Sequence, residues 1–181
     1  TGSEEFRDNE AHYREKLDEL HELRRAQRIG GPRKARDRHV AKGKMLPRER
    51  VERLIDSGSP FLELGDLAGL GKYDDVPPGA SIITGIGVIE GRQCMIIAND
   101  ATVKGGTYFG MTCKKHVRAQ RIAWQNRLPV ITLVDSGRAF LPEIANIFPD
   151  EGQLGSIFHQ QVAMSGDGLP ITAVDMGTVQ A

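Results

Sequence analysis

The chain has 181 residues, enough for one domain with a substantial buried core. Its 24 Lys+Arg balance 24 Asp+Glu, so no global charge points to nucleic acid or to an anionic membrane. No run of about eighteen apolar residues and no signal-peptide pattern occurs, which excludes a membrane-spanning helix and suits a protein of a reducing compartment, with Cys94 and Cys113 too isolated for a disulfide or a zinc ribbon.

In chain order, Phe6 to Arg28 is expected to be a helix. Phe6, Tyr13, Leu17 and Leu20, continued by Leu23 or Gln27, fall on one narrow stripe, and Gly30-Gly31-Pro32 ends it. So thin a stripe in so charged a helix predicts that it lies on another surface, that of another subunit included. Next comes Arg33 to Arg53, with nine cations against three anions. It reads either as a solvated basic surface or as a contact for phosphates. Within it a helix is expected from Pro47, a favoured first position, to a Gly58 cap.

Ser81 to Ile89 and Arg92 to Ala98 read as strands of a hairpin turning at Glu90-Gly91. From Cys94 onward the pattern becomes βαβαβ: a helix near 111–126, a strand over 130–134, a helix near 152–165 and a strand over 171–175. Such alternation predicts an α/β fold with parallel pairing. Ligands bind at the carboxyl ends of such strands. Three loops should meet there: "NDATVKGGTYFG" (Asn99 to Gly110), "DSGRAFLPEIANIFPDE" (Asp135 to Glu151) and "MGTVQA" (Met176 to Ala181).

The chemistry available to those loops is limited. Ser136 lacks the GxSxG setting of a nucleophile elbow and a suitably placed histidine, so it is expected to hydrogen-bond loop backbone. Gly105-Gly106 matches neither GxxxxGK[ST] nor GxGxxG, since Lys104 precedes the glycines. Asp135, Asp150 and Glu151 have no ordered metal-ligand spacing and read as caps or surface, so no metal is expected. Two readings remain: tight loops of ordinary kind, or a platform of main-chain N–H groups able to stabilise an oxyanion.

Three long stretches carry a resemblance: "GGPRKARDRHVAKGKMLPRERVERLIDSGSPFLEL", "IITGIGVIEGRQCMIIANDATVKGGTYFG" and "LPVITLVDSGRAFLPEIANIFPDEGQLGSIF". Together they resemble the carboxyltransferase (β) subunits of biotin-dependent acyl-CoA carboxylases, in the methylcrotonoyl-CoA carboxylase-like branch. The resemblance implies a crotonase-like fold, with residues 1–58 as a helical extension and residues 59–181 as an incomplete N-terminal carboxyltransferase domain. It implies transfer of carboxylate from carboxybiotin, carried on a biotin carboxylase/biotin carrier partner, to an acyl-CoA through a backbone-stabilised enolate. It also implies a homo-oligomer in the bacterial cytoplasm or the mitochondrial matrix, and, for the piece alone, negligible turnover.

By position, the resemblance assigns Gly137, Arg138 and Ala139 to the oxyanion donors and places Lys104, Gly105, Gly106, Thr107 and Phe140 along the acyl-CoA. Arg138 departs from the family's "DSGGA" or "DSAGA" wording, where a small residue stands. If that position needs positive φ, arginine costs about 1–2 kcal/mol; its side chain either blocks the acyl pocket or pairs with a carboxylate or a CoA phosphate. Two other readings are a non-catalytic assembly or regulatory relative, and a crotonase-fold hydratase, isomerase or decarboxylase. A hydratase would draw its acids from Glu143 and Glu151.

Overall fold

The computed structural model describes residues 2–148 and 151–179. Five strands form one sheet in the order β1-β2-β3-β4-β5: β1 (Leu62–Glu63), β2 (Ile82–Ile89), β3 (Arg92–Asn99), β4 (Val130–Ser136) and β5 (Ile171–Val179). The first three pair antiparallel and the last three parallel. The 82–89/92–99 hairpin turns where its residues require: Glu90 and Gly91 have φ of 49° and 73°, and the Asp56 carboxylate accepts both their N–H groups at 2.8 and 2.9 Å.

Side chains on β3 alternate between two apolar layers, following the period of two that any strand imposes. Met95 and Ile97 face a core completed by Ala119 and Ala123 of α4 (Gly110–Gln125) and Met164 of α6 (Leu154–Gly166). Ile96 and Ala98 face the other layer, with Ile83, Leu133 and Val51 of α3 (Pro47–Leu54). Covering both faces is what parallel strands demand. A short 3₁₀ turn at Leu141–Glu143 leads into α5 (Ile144–Ile147). Cys94 and Cys113 are free and buried.

Three features differ from expectation. A helix α2 (Arg33–Ala41) occupies the first part of the basic segment, ahead of the one helix expected there. The α3 helix stops at Leu54 instead of reaching Gly58, because Ile55 turns to extended backbone and Asp56 N–H joins the sheet at Val88 O, 2.8 Å. Residues Met176 to Val179 continue β5 and are not loop; Gln180 and Ala181, and Asp150 of the second predicted loop, lie outside the described residues.

The first helix, α1 (Glu4–Arg28), is N-capped by Ser3, whose Oγ accepts from Phe6 N–H, and closes with Arg25 and Arg28 in its last turn. Of its stripe, Phe6, Tyr13, Leu17 and Leu23 stay exposed, Tyr13 at 71%, Leu20 is half-buried, and Gln27 is buried at its base. That base is tied down by Arg24–Asp66 and by Arg48, which reaches both Gln27 and Glu63. Gly31 follows, pressed so close to Thr102 that its N–H meets the Thr102 hydroxyl at 3.0 Å and a Cβ would overlap the Thr102 carbonyl.

Packing against β2 is also close at Gly85, where a Cβ would sit 2.6 Å from the Leu62 carbonyl and 2.4 Å from the edge of the Phe61 ring. Gly85→Ala is therefore expected to cost about 1–3 kcal/mol through overpacking, read as a lower urea midpoint at unchanged slope.

Candidate functional site

The carboxyl ends of β3 and β4 carry two loops that are laced together by main chain. Gly137 N–H donates to Gly106 O (3.1 Å), Tyr108 N–H to Arg138 O (3.2 Å) and Phe140 N–H to Tyr108 O (2.8 Å), with Tyr108 and Ala139 forming a parallel bridge. Lys104, Gly105 and Gly106 turn through positive φ of 49°, 70° and 76°. Only missing side chains permit the contact: a Cβ on Gly137 would stand 2.8 Å from Gly105 O, and one on Gly106 would overlap Asp135 O.

The turn is pinned from behind by Ser81, in a segment that α4 holds in turn. Ser81 Oγ donates to Thr107 O at 2.6 Å, Thr112 Oγ1 donates to Ala80 O at 2.7 Å, and the buried Lys115 ammonium donates to Gly79 O and Ile82 O. Burial lowers the Lys115 pKa to about 8. Asn99, at the end of β3, spans both loops, accepting from Asp135 N–H (3.3 Å) and donating to Tyr108 Oη (3.1 Å). Tyr108 Oη in turn meets His116 Nδ1 at 3.0 Å, and Gln120 Nε2 meets His116 Nε2 at 3.2 Å. Desolvation pushes the Tyr108 phenol up to about 12 and His116 down to about 4, so at neutral pH both are uncharged.

Beneath the loops lies Asp135, 2% exposed. Arg50 Nη2 reaches its Oδ2 at 2.9 Å, and Lys44 Nζ reaches both oxygens at 3.1 and 3.2 Å. Arg50 also donates from Nε to Met45 O and lies 3.0 Å from His39 Nε2. Desolvation raises the Asp135 pKa, but the hydrogen bonds and charges of Lys44 and Arg50 outweigh it and hold the carboxyl below its usual range. Asp135 is thus neither cap nor surface. It ties the basic segment to β4, so that segment is not simply a solvated face: Arg50 is buried and Arg48 half-buried against Glu63, while Arg38 and Lys42 remain exposed.

A cleft of about 660 Å³ opens between α2 and the two loops. Arg38, Lys42 and Lys44 form one wall, and Thr102 to Gly105, Thr107, Gly137 and Arg138 the other. The structure thus brings Lys104, Gly105, Thr107, Gly137 and Arg138 to one cleft. Gly106 sits behind it against Asp135, Ala139 sits in the bridge to Tyr108, and Phe140 packs on Phe109 at 5.0 Å between ring centroids. Lys104 pairs with Asp75. Arg138 does not adopt positive φ, so the strain that an arginine would suffer there does not arise. The Gly137 amide is already engaged, whereas the Arg138 and Ala139 N–H groups have no acceptor among the described residues. Among those residues no three His, Cys, Asp or Glu side chains converge as a metal site, and no helix is long and apolar enough to cross a membrane.

The site is thus a pair of glycine-tight main-chain loops at the ends of parallel strands, facing a cationic cleft. Comparison with known proteins gives it a family: residues 38–181 match the carboxyl transferase domain, and the chain belongs to that family. It is 57% identical to the biotin-dependent 3-methylcrotonyl-coenzyme A carboxylase beta1 subunit of Mycobacterium tuberculosis, over 93% of this chain and 32% of that one. It is 50% identical to the mitochondrial methylcrotonoyl-CoA carboxylase beta chain of Dictyostelium discoideum, over 99% of this chain and 31% of the relative. Among solved structures, the beta subunit of Pseudomonas aeruginosa geranyl-CoA carboxylase superposes with a TM-score of 0.70 at 38% identity, covering 90% of this chain and 29% of the other. The fold is that of the carboxyltransferase subunits, crotonase-like, and the chain spans about a third of the length of these relatives.

Two outcomes test the buried network. Asp135→Ala leaves Arg50 buried and unpaired and is expected to cost about 3–5 kcal/mol in denaturant unfolding. His116 has a folded pKa of about 4 against an ordinary 6.5. Its contribution is full above 6.5 and is lost as pH falls towards 4, because the unfolded chain takes up the proton first. Stability should therefore decline over that window, and His116→Gln should remove that part of the slope.

Proposed function

We propose that this chain forms the acyl-CoA-facing part of a carboxyltransferase acting on a methylcrotonoyl-CoA-like thioester in a biotin-dependent carboxylase. One observation carries the reading: the lacing of the 104–107 and 137–140 loops leaves the Arg138 and Ala139 amides without acceptors beside a cationic cleft. When a substrate proton leaves the carbon next to the thioester, or vinylogous with it, charge moves to the thioester oxygen. Fixed N–H donors stabilise that enolate oxygen more than the ground-state carbonyl, which lowers the barrier. With Gly137 N–H committed to Gly106 O, the donors from this loop narrow to Arg138 and Ala139.

The residues fit the thioester half of such a reaction. Lys104, Gly105 and Thr107 line the acyl-CoA, Gly106 holds the turn against Asp135, Phe140 closes the apolar layer behind it, and Arg38 with Lys42 meets the CoA phosphates. A carboxybiotin delivered on a biotin-carrying partner subunit would supply the carboxylate, and the ureido nitrogen freed as its bond to that carboxylate breaks would accept the substrate proton. No protein base is then required. His116 is buried and neutral behind Tyr108, and neither Glu143, which accepts from Gly110 N–H at 3.2 Å, nor Glu151 lines the cleft, which disfavours a hydratase pair. The exposed stripe of α1 serves assembly of a homo-oligomer. The relatives include a bacterial and a mitochondrial protein, and the same setting, bacterial cytoplasm or mitochondrial matrix, is proposed for this one.

The test is incorporation of labelled bicarbonate into 3-methylcrotonoyl-CoA by the native assembly with its biotin-carrying partner and ATP, abolished by avidin. Ala139→Pro, which deletes one amide, is expected to lower kcat by about 10²-fold with a smaller change in the Kd of the thioester. Thioester binding without any incorporation would reduce the chain to a binding relative.

A further inference from the structure

Two consecutive residues other than glycine, Ala80 and Ser81, hold φ of 53° and 56°, and both are buried. Left-handed backbone at such residues is unfavourable and persists only where neighbours enforce it. Here α4 does so. Lys115 Nζ donates to Gly79 O at 3.0 Å and to Ile82 O at 2.6 Å, and Thr112 Oγ1 donates to Ala80 O at 2.7 Å. The Ser81 hydroxyl, so placed, lies 2.6 Å from Thr107 O and 3.1 Å from Thr112 Oγ1. A carbonyl can only accept, so the Ser81 proton goes to Thr107 O. Ser81 itself does not line the cleft.

The grip on Thr107 O reaches further, because a peptide unit is planar and its C=O and N–H point in opposite directions. Across the unit from Thr107 O is the Tyr108 N–H, which donates to Arg138 O at 3.2 Å. Across the next unit, from Arg138 O, is the Ala139 N–H, one of the two amides without an acceptor among the described residues. Phe140 N–H donates to Tyr108 O at 2.8 Å and ties the far side of Ala139 to the same residue. A tilt of the Thr107–Tyr108 plane therefore carries Ala139 with it. Each bond in such a chain of donors and acceptors also polarises the next. We propose that Ser81 is a positioning residue, which aims and polarises the Ala139 amide through two intervening peptide planes. The proposal rests on the reading of that amide as an enolate donor and adds the side chain that sets its direction.

The test is Ser81→Gly in the native assembly with its biotin-carrying partner. Glycine accepts a φ of 56° without strain, so the variant loses the hydroxyl and keeps the fold. The kcat for carboxylation of 3-methylcrotonoyl-CoA is expected to fall about tenfold, with KM within about twofold of the wild type. The thermal midpoint should not drop. Hydrogen exchange should quicken at the Tyr108 amide of the same variant, a readout independent of turnover. Ser81→Ala, which keeps the Cβ and lacks only the oxygen, should reproduce the kcat loss and is decisive if the glycine variant does not assemble. An unchanged kcat, unchanged exchange at Tyr108, or a loss that only follows a lower thermal midpoint overturns the proposal and leaves the carboxyltransferase reading standing. Absence of carboxylation by the wild type removes that reading and the proposal with it.

Discussion

The buried Asp135 carboxylate is the constraint around which the rest is arranged. It sits at the end of β4 and receives Arg50 from α3 and Lys44 from the segment before it, 85 and 91 residues away in the chain. A carboxylate at 2% exposure is tolerable only when its lone pairs are taken. The ion pair therefore forces the basic N-terminal helices onto the carboxyl end of the sheet. That placement creates the cleft, since α2 supplies one wall and the 104–107 and 137–138 main chain the other. Remove the carboxylate, and the wall and the floor lose their common anchor.

A second layer of polar order lies behind the loops. Asn99 joins both of them, and Tyr108, His116 and Gln120 continue inward from it. Each group is neutral at physiological pH, which avoids the larger penalty of buried charge. Ser81, just before β2, and Thr112 of α4 hold the same region. The loops that face the cleft are short and glycine-rich, yet they are held to each other and to the residues behind them by hydrogen bonds. Such fixation is what a site needs if amide direction, not side-chain chemistry, is to act.

Much of this was legible beforehand. The hairpin at Glu90-Gly91, the βαβαβ succession and the meeting of the Asn99 and Asp135 loops follow from turn residues and apolar periodicity, and the long shared stretches identify the family. What escaped did so for physical reasons. Helix α2 is polar on nearly all faces, so no periodic stripe marks it, and it is held by contacts outside the helix such as buried His39 Nε2 at 3.0 Å from Arg50 Nη2 of α3. Asp135 reads as a loop carboxylate because its partners are remote in sequence. Arg50 reads as one more surface cation until it is seen 4% exposed beside that carboxylate. The engagement of Gly137 N–H by Gly106 O depends on a loop-to-loop distance that no local pattern encodes.

The close approach of Gly106 to Asp135 and of Gly137 to Gly105 has a consequence for how such a protein can be damaged. Truncating side chains one at a time, the usual way of mapping a functional surface, leaves the peptide groups in place and passes over them in silence. The vulnerable change is addition: a single methyl at either position wedges the loops apart and turns their dipoles away together. Loss of function here would arise from atoms gained.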